Sequence, residues 1–273
     1  MTIREIIGKL NLDKNLSEPA IKWIEGNNLL CQEYSRLLLE NKLNKISKLD
    51  NIKKLAIVLY TLPFTYKAYL EKGIDENIFW DTMSDIKIWC KNDFERFNTL
   101  GLDNIHWIKK HLTLKIFRLK RLQFEFSRFM ILPHAKFKDI LKCPFRLGEK
   151  CITLHIPQGE KLDNELCKQS LSMANEFFAK YYPDYKYRCY TVITWLLNPD
   201  FKSVLNEDSN IVKFGKMFDL LGYVPDSDMN ERRVFGYDKD RKSYNPKNAL
   251  QLYTLSRIQN KKPLYSYNGY RAK

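Results

Sequence analysis

The sequence predicts an α+β fold: an all-α N-terminal part followed by a sheet with helices around it. Three observations carry that expectation. Apolar side chains recur at helical spacing through residues 1–108, polar and apolar side chains alternate from Lys115 onward, and the stretch from Cys151 to Leu197 reads as strand, helix, strand.

Thr2 and Glu5 form a capping box ahead of Ile3, Ile6, Ile7 and Leu10, and a second helix runs from about Asn28 through Leu37, Leu38 and Leu39. A third starts near Asp50, is interrupted around Pro63 and ends at Gly73, a suitable left-handed residue. GIDENIFWDTMSDIKIWCKNDFERF then reads as one helix, with Asp75 at its positive end and Ile78, Met83, Ile86 and Trp89 on one stripe. KIFRLKRLQFEFSRFM, residues 115–130, has strand periodicity, which puts Arg118, Lys120 and Arg128 on one face and Leu119, Arg121, Gln123 and Glu125 on the other. HAKFKDILKCPFRLGEK reads as a linker returning the chain to CITLHIP, a strand antiparallel to the previous one that stops at Pro157. Asp163 or Asn164 caps a helix through Leu166, Leu171, Ala174, Phe177 and Phe178; Pro183 ends it, and YRCYTVITWLL supplies a β-branched, aromatic strand. NPDFKSVL reads as a short helix, SNIVKFGKMFDLLGY as an amphipathic helix capped at Ser209-Asn210, RVFGY as a short strand, and the end as basic and Tyr-rich.

With 273 residues, 44% hydrophobic, and ten Gly and ten Pro, the chain suffices for one large or two ordinary domains and is neither fibrous nor disordered. MTIREIIGKL is too short and too charged for a secretory leader, and no apolar run is long enough to span a bilayer, so a cytoplasmic protein with no membrane partner is expected. The six cysteines lack any CxxC spacing and read as reduced thiols; a metal site from Cys143, Cys151, His155 and Cys167 lacks the short pairings metals favour, so no metal is expected. The net charge of +14 divides as 0 over residues 1–108, +9 over 109–150, −4 over 151–231 and +9 over 232–273. The two basic segments could hold nucleic acid or steer an anionic small molecule, or be solvated surface.

In a βαβ unit ligands sit at the carboxyl end of the strand, where a Gly lets the backbone approach and the first N–H groups of the helix attract anions. The turn Pro157-Gln158-Gly159 is therefore the candidate site for a phosphate-bearing ligand.

The chain resembles bacterial acyltransferase proteins that join a helical N-acyltransferase N-terminal domain to a GNAT-like C-terminal domain. The matching pieces are GIDENIFWDTMSDIKIW at 73–89, FRLKRLQFE at 117–125, HIP at 155–157, Ser170, Ala174 and Phe177-Phe178, WLLNP at 195–199, SNIVKF at 209–214 and VFG at 234–236. They occur in the family's order. Lys120 stands where the family has Gly, NPKNALQLYTL matches its late element loosely, and the glycine-rich pyrophosphate loop is replaced after Gln158 by GEKLDN.

That resemblance implies a helical domain over residues 1–112 and, over 113–273, a mixed, mostly antiparallel sheet flanked by helices. It implies transfer of an acyl group from acetyl-CoA or another acyl-CoA to a small amine or peptide amine by direct attack. The cofactor-binding set it implies is Pro157, Gln158, Gly159, Lys161, Asn164 and Ser170, and the proton-handling pair is Glu125 and His155, with Tyr253, or Tyr244, as acid. The structural alternatives are a His155 bonded to a backbone carbonyl, a Glu125 paired with Arg121 or a neighbour, and tyrosines that pack. Cys151 or Cys189 beside His155 is the ping-pong alternative. A non-catalytic or nucleic-acid/protein-binding module using the basic segments is the alternative to an enzyme.

Overall fold

A computed structural model of the chain describes residues 1–226, 228–237 and 240–273. Asp238 and Lys239, part of the basic segment 232–273, lie outside the described residues. The chain divides into two compact units, one of residues 1–119 with 157–159, the other of residues 120–156 with 160–273.

The first unit opens with α1 (Ile3–Leu10), whose capping box is formed: Thr2 N–H donates to Glu5 Oε2 at 2.7 Å and Glu5 N–H to Thr2 Oγ1 at 3.3 Å. α2 (Lys14–Gly26) and α3 (Asn28–Leu39) follow. α4 (Asn51–Glu71) is capped by Asp50 and, unlike the sequence expectation, continues through Pro63. Proline inside a helix costs about 3 kcal/mol. Burial of Leu55, Ala56, Ile57, Val58, Leu59 and Leu62 on this central helix offsets it, since each large aliphatic side chain contributes roughly 1.5–3 kcal/mol. Gly73, with φ 68°, ends the helix as expected, its N–H donating to the Leu70 carbonyl and that of Ile74 to the Tyr69 carbonyl.

The expected single helix after Gly73 is two, α5 (Glu76–Met83) and α6 (Asp85–Phe97), separated at Ser84. Asp85 is turned into the interior there, where its Oδ2 accepts from Trp89 Nε1 at 3.0 Å and Trp107 Nε1 at 2.7 Å and meets His111 Nε2 at 3.1 Å. Trp107 and His111 belong to α7 (Ile105–Leu112). β1 (Ile116–Leu119) closes the unit, with Arg118 donating its N–H to Thr82 Oγ1 and Nη1 to Ser84 Oγ.

The stretch 115–130 is thus not one strand. Lys120 takes φ 58° and the chain turns, leaving β2 (Leu122–Arg128) as a separate strand. The left-handed conformation explains why glycine suits this position and why the expected faces do not continue across it. Within the segment read as a linker lies α8 (Phe137–Lys142). β3 (Lys150–His155), α9 (Asn164–Tyr181) and β4 (Cys189–Thr194) form the expected βαβ unit, followed by α10 (Phe201–Val204) and α11 (Asn210–Gly215).

Two C-terminal expectations are corrected. DLLGY is not helical but lies in β5 (Asp219–Pro225), because Gly222 at φ 81° bends a bulged strand against the backbone of Leu132 and Ala135. RVFGY is not a strand: it lies mostly in α12 (Met229–Phe235), which ends at Gly236, φ 93°. α13 (Ala249–Gln259) follows, and the Tyr-rich end is β6 (Tyr265–Ala272), inserted between β4 and β5.

Within the second unit the strands run β2-β3-β4-β6-β5, and only β3–β4 is parallel. α9 covers one face, burying Cys167, Leu171, Ala174, Phe177 and Phe178, with Phe126 edge-on to Phe178 at 5.3 Å. The other face carries an apolar cluster of Phe129, Phe145, Cys151, Cys189, Leu221 and Tyr270.

Candidate active site

Side chains alternate along a strand, so the register of β2, β3 and β4 sets Glu125, Thr153 and Thr191 side by side on the face away from α9, with His155 two residues beyond Thr153. Glu125 Oε2 and His155 Nε2 are 2.8 Å apart, a diagonal cross-strand pair with side chains 17% and 28% exposed. Beside them the hydroxyls of Thr153 and Thr191 are 3.0 Å apart. The apolar cluster fills one end of this face; the polar row lies towards the other.

The parallel pairing of β3 with β4 consists of Ile152 with Tyr190 and Thr153 with Thr191. Leu154 and His155 on β3 pair onward only with β2, and Val192, Ile193 and Thr194 on β4 only with β6. The two strands therefore part where His155 stands, while β2–β3 and β4–β6 stay laddered on either side. A wedge of this kind accepts an extended ligand whose amides can bond to the strand edges it separates.

Arg121, 3% exposed, shapes the loop after β3: its Nε donates to the Lys161 carbonyl at 2.8 Å and its Nη2 to the Glu160 carbonyl at 2.9 Å. Its N–H donates to Ser170 Oγ at 3.0 Å, and that hydroxyl donates to the Leu166 carbonyl at 2.8 Å. Ser170 is fully buried and its hydroxyl is committed to holding α9 against the turn, which leaves it no ligand to bind. Pro157, Gln158 and Gly159 group with the first unit; Gly159 has φ 99° and open space where a Cβ would point. Lys161 is exposed.

At the start of α9, Asp163 accepts the Leu166 N–H at 2.9 Å. Asn164 Oδ1 is buried without a partner, and Asn164 lines a cavity of about 580 Å³ together with Lys168, Asn210, Lys213 and Lys216 and the carboxylates Asp163 and Glu165. Lys168 pairs with Glu165 at 2.7 Å and Lys213 with Asp208 at 3.0 Å. Three ammonium groups outnumber the two carboxylates of this lining, and with an unsatisfied amide and a helix start they make a concavity suited to phosphate. The sequence reading found Asn164 but not Lys168, Lys213 on α11 or Lys216 just past its end, which the fold and not a local pattern brings to the start of α9.

Tyr253 is not part of the Glu125–His155 row. Its hydroxyl donates to Asp200 Oδ2 at 2.6 Å and accepts from Asn198 Nδ2 at 2.9 Å, and burial, then the Asp200 bond, raises its pKa. Tyr244 donates to Glu231 Oε1 at 2.9 Å and stacks on Phe235; burial first, then Glu231, pushes it up to about 12. Both are held protonated by structural partners. Cys151 and Cys189 are fully buried in the apolar cluster; the bond to Cys151, then burial, raises the pKa of the Cys189 thiol, while the bond from Cys189 lowers that of Cys151, so it is burial in the cluster that stands against a nucleophile here. Among the described residues no three His, Cys, Asp or Glu side chains gather as metal ligands, and no helix is long and apolar enough to cross a membrane.

The model of the GNAT-like C-terminal domain matches residues 116–271, and that of the N-acyltransferase N-terminal domain matches residues 8–114. The chain is similar in fold to a crystal structure of an acyltransferase in complex with decanoyl-CoA and teicoplanin, at 18% identity over 98% of this chain and 87% of that one, TM-score 0.78. An acyltransferase in complex with CoA and 10C-teicoplanin gives the same values. A third, in complex with decanoyl-CoA, is 19% identical over 98% of this chain and 86% of that one, TM-score 0.76. No curated protein matches the chain.

Proposed function

Because the chain belongs to the family of the GNAT-like C-terminal domain, and an N-acyltransferase N-terminal domain precedes it, we propose that it is an acyl-CoA-dependent N-acyltransferase. The observation that carries this reading is the Glu125–His155 pair placed where β3 and β4 part. An acyl-CoA thioester entering the wedge meets a base on the strand that borders it. The acceptor amine attacks the thioester carbon, the C–N bond forms, the C–S bond breaks, and the ammonium proton passes to the carboxylate–imidazole pair. The same pair then returns a proton to the coenzyme A thiolate, so no acyl-enzyme forms.

Tyr253 is left outside this chemistry because Asn198 and Asp200 hold its hydroxyl. The phosphates of the substrate are assigned to Asn164, Lys168, Lys213 and Lys216 around the start of α9, supported by the orphaned Asn164 oxygen. Lys161 is assigned to the same phosphates, and the turn at residues 157–159, where Gly159 has positive φ and no side chain, stays with the first unit. Residues 1–112 serve as the helical domain and residues 113–273 as the transferase domain, with a small amine or a peptide amine as acceptor. Two of the similar structures hold teicoplanin or 10C-teicoplanin, and teicoplanin is the acceptor to test first.

Calorimetry with acetyl-CoA, decanoyl-CoA and free coenzyme A is expected to show saturable binding, and an amine panel to release free thiol. Absence of binding at millimolar ligand removes the enzyme reading.

A further inference from the structure

The segment between β2 and β3 carries Lys136, Lys138, Lys142 and Arg146, all exposed. None of the four makes an ion pair among the described residues, whereas Lys42, Lys53 and Lys168 each sit within 3 Å of a carboxylate. Interleaved with these cations are Phe137, Leu141 and Leu147, 74%, 70% and 70% exposed. Phe137 and Leu141 are one turn apart and share a side of α8. Ile140 and Cys143 point the other way and pack on the cluster of Phe129, Phe145 and Tyr270, so the segment is anchored while its large apolar side chains stay in water.

Scattered exposed leucines are ordinary, but three bulky apolar side chains among four unpaired cations, within a dozen residues, have the composition of an interfacial anchor. The cations alone would suit RNA. Two of the three apolar side chains, Leu141 and Leu147, have no ring to stack on a base. We infer that residues 136–147 dock this protein on an anionic lipid surface, with Phe137, Leu141 and Leu147 entering the headgroup region and the cations at the level of the lipid phosphates. The inference is independent of acyl transfer.

Flotation of the full chain with vesicles tests it. Binding is expected with phosphatidylcholine vesicles containing about a third phosphatidylglycerol, roughly tenfold weaker with phosphatidylcholine alone, and reversed by high salt. Phe137→Ser/Leu141→Ser and, separately, Lys138→Glu/Lys142→Glu are each expected to weaken binding at least about tenfold. All four positions are exposed, so the melting temperature and acyl-CoA binding remain unchanged. No flotation at low salt, or flotation unaltered in the Phe137→Ser/Leu141→Ser variant, overturns the proposal. So does a dimer in sedimentation that this variant dissolves, which would give the surface to a second copy, or RNA binding lost in the charge-reversed variant without any flotation.

Discussion

Glu125 and His155 are two residues whose value in the proposed reaction depends on the 2.8 Å contact between them, which sets the prediction for their variants. Glu125→Gln keeps the shape but removes the carboxylate that His155 Nε2 meets, so kcat is expected to fall about 10²–10³-fold with the KM for acyl-CoA little changed. His155→Ala should fall by a similar factor, and the double variant by no more than either single one, because groups acting as a unit are non-additive. Thiol-release kinetics decide it: single effects that multiply in the double variant would mean the residues act independently. Tyr253→Phe, by contrast, removes a hydroxyl bonded to Asp200 and Asn198, so it should lower stability by about 1 kcal/mol while leaving kcat within a few-fold. A kcat loss without a stability loss would return Tyr253 to the chemistry. Lys120 is a third residue-scale case. At φ 58° its side chain imposes strain of about 1 kcal/mol, so Lys120→Gly should stabilise the protein by several tenths of a kcal/mol in denaturant titration, the remainder being lost to the freer unfolded chain.

At the scale of an element, α6 carries a buried carboxylate with a measurable consequence. Asp93, 4% exposed, has its pKa raised to about 6, chiefly by burial, against the opposing bond from the Asp103 N–H at 2.7 Å. The folded protein therefore holds a proton here between about pH 4 and 6 that the unfolded chain, near the ordinary value of 3.8, has lost. Protons bound in excess by the folded state mean that this group's contribution is most favourable below pH 4, declines as pH rises to about 6 and is flat above. The total is roughly 3 kcal/mol for a shift of this size. Asp93→Asn keeps an acceptor for Asp103 and removes the titration, so its gain in melting temperature over the parent should be larger at pH 8 than at pH 4. Superimposable pH profiles for the two proteins would show that Asp93 is not protonated in the fold. The same helix shows why sequence reading stops short of such detail: the stripe of Ile78, Met83, Ile86 and Trp89 predicted helix correctly, yet the break at Ser84 follows from Asp85 reaching Trp89, Trp107 and His111, and the last two lie on another helix.

For the whole molecule, what could be read was what local spacing determines. The capping box at Thr2, the left-handed stop at Gly73 and the strand–helix–strand from β3 to β4 each rest on neighbours in sequence. β5, α12 and β6 do not: Leu220, Leu221 and Val224 fit either period, and the state of β5 is set by pairing with β6, whose Tyr265 and Tyr267, alternating with Ser266 and Asn268, gave little sign of a strand inserted beside β4. The candidate site divides likewise. Glu125 and His155 were legible as strand residues on neighbouring strands, whereas Lys213 and Lys216 reach the start of α9 through a fold connection that no local pattern encodes. That difference supports a final test, since a site assembled by the fold should report on ligand through global stability. Acyl-CoA at about 100 times its Kd should stabilise the folded chain by about 2.7 kcal/mol, a rise in melting temperature of about 5–10 °C for a cooperative unit of this size. Lys213→Ala/Lys216→Ala should abolish most of that rise and its salt sensitivity while leaving the ligand-free melting temperature within about 1 °C, because exposed charges contribute little to folding. If the ligand-free protein melts much lower instead, and the ligand-induced rise persists, the lysines hold the fold and the phosphates bind elsewhere.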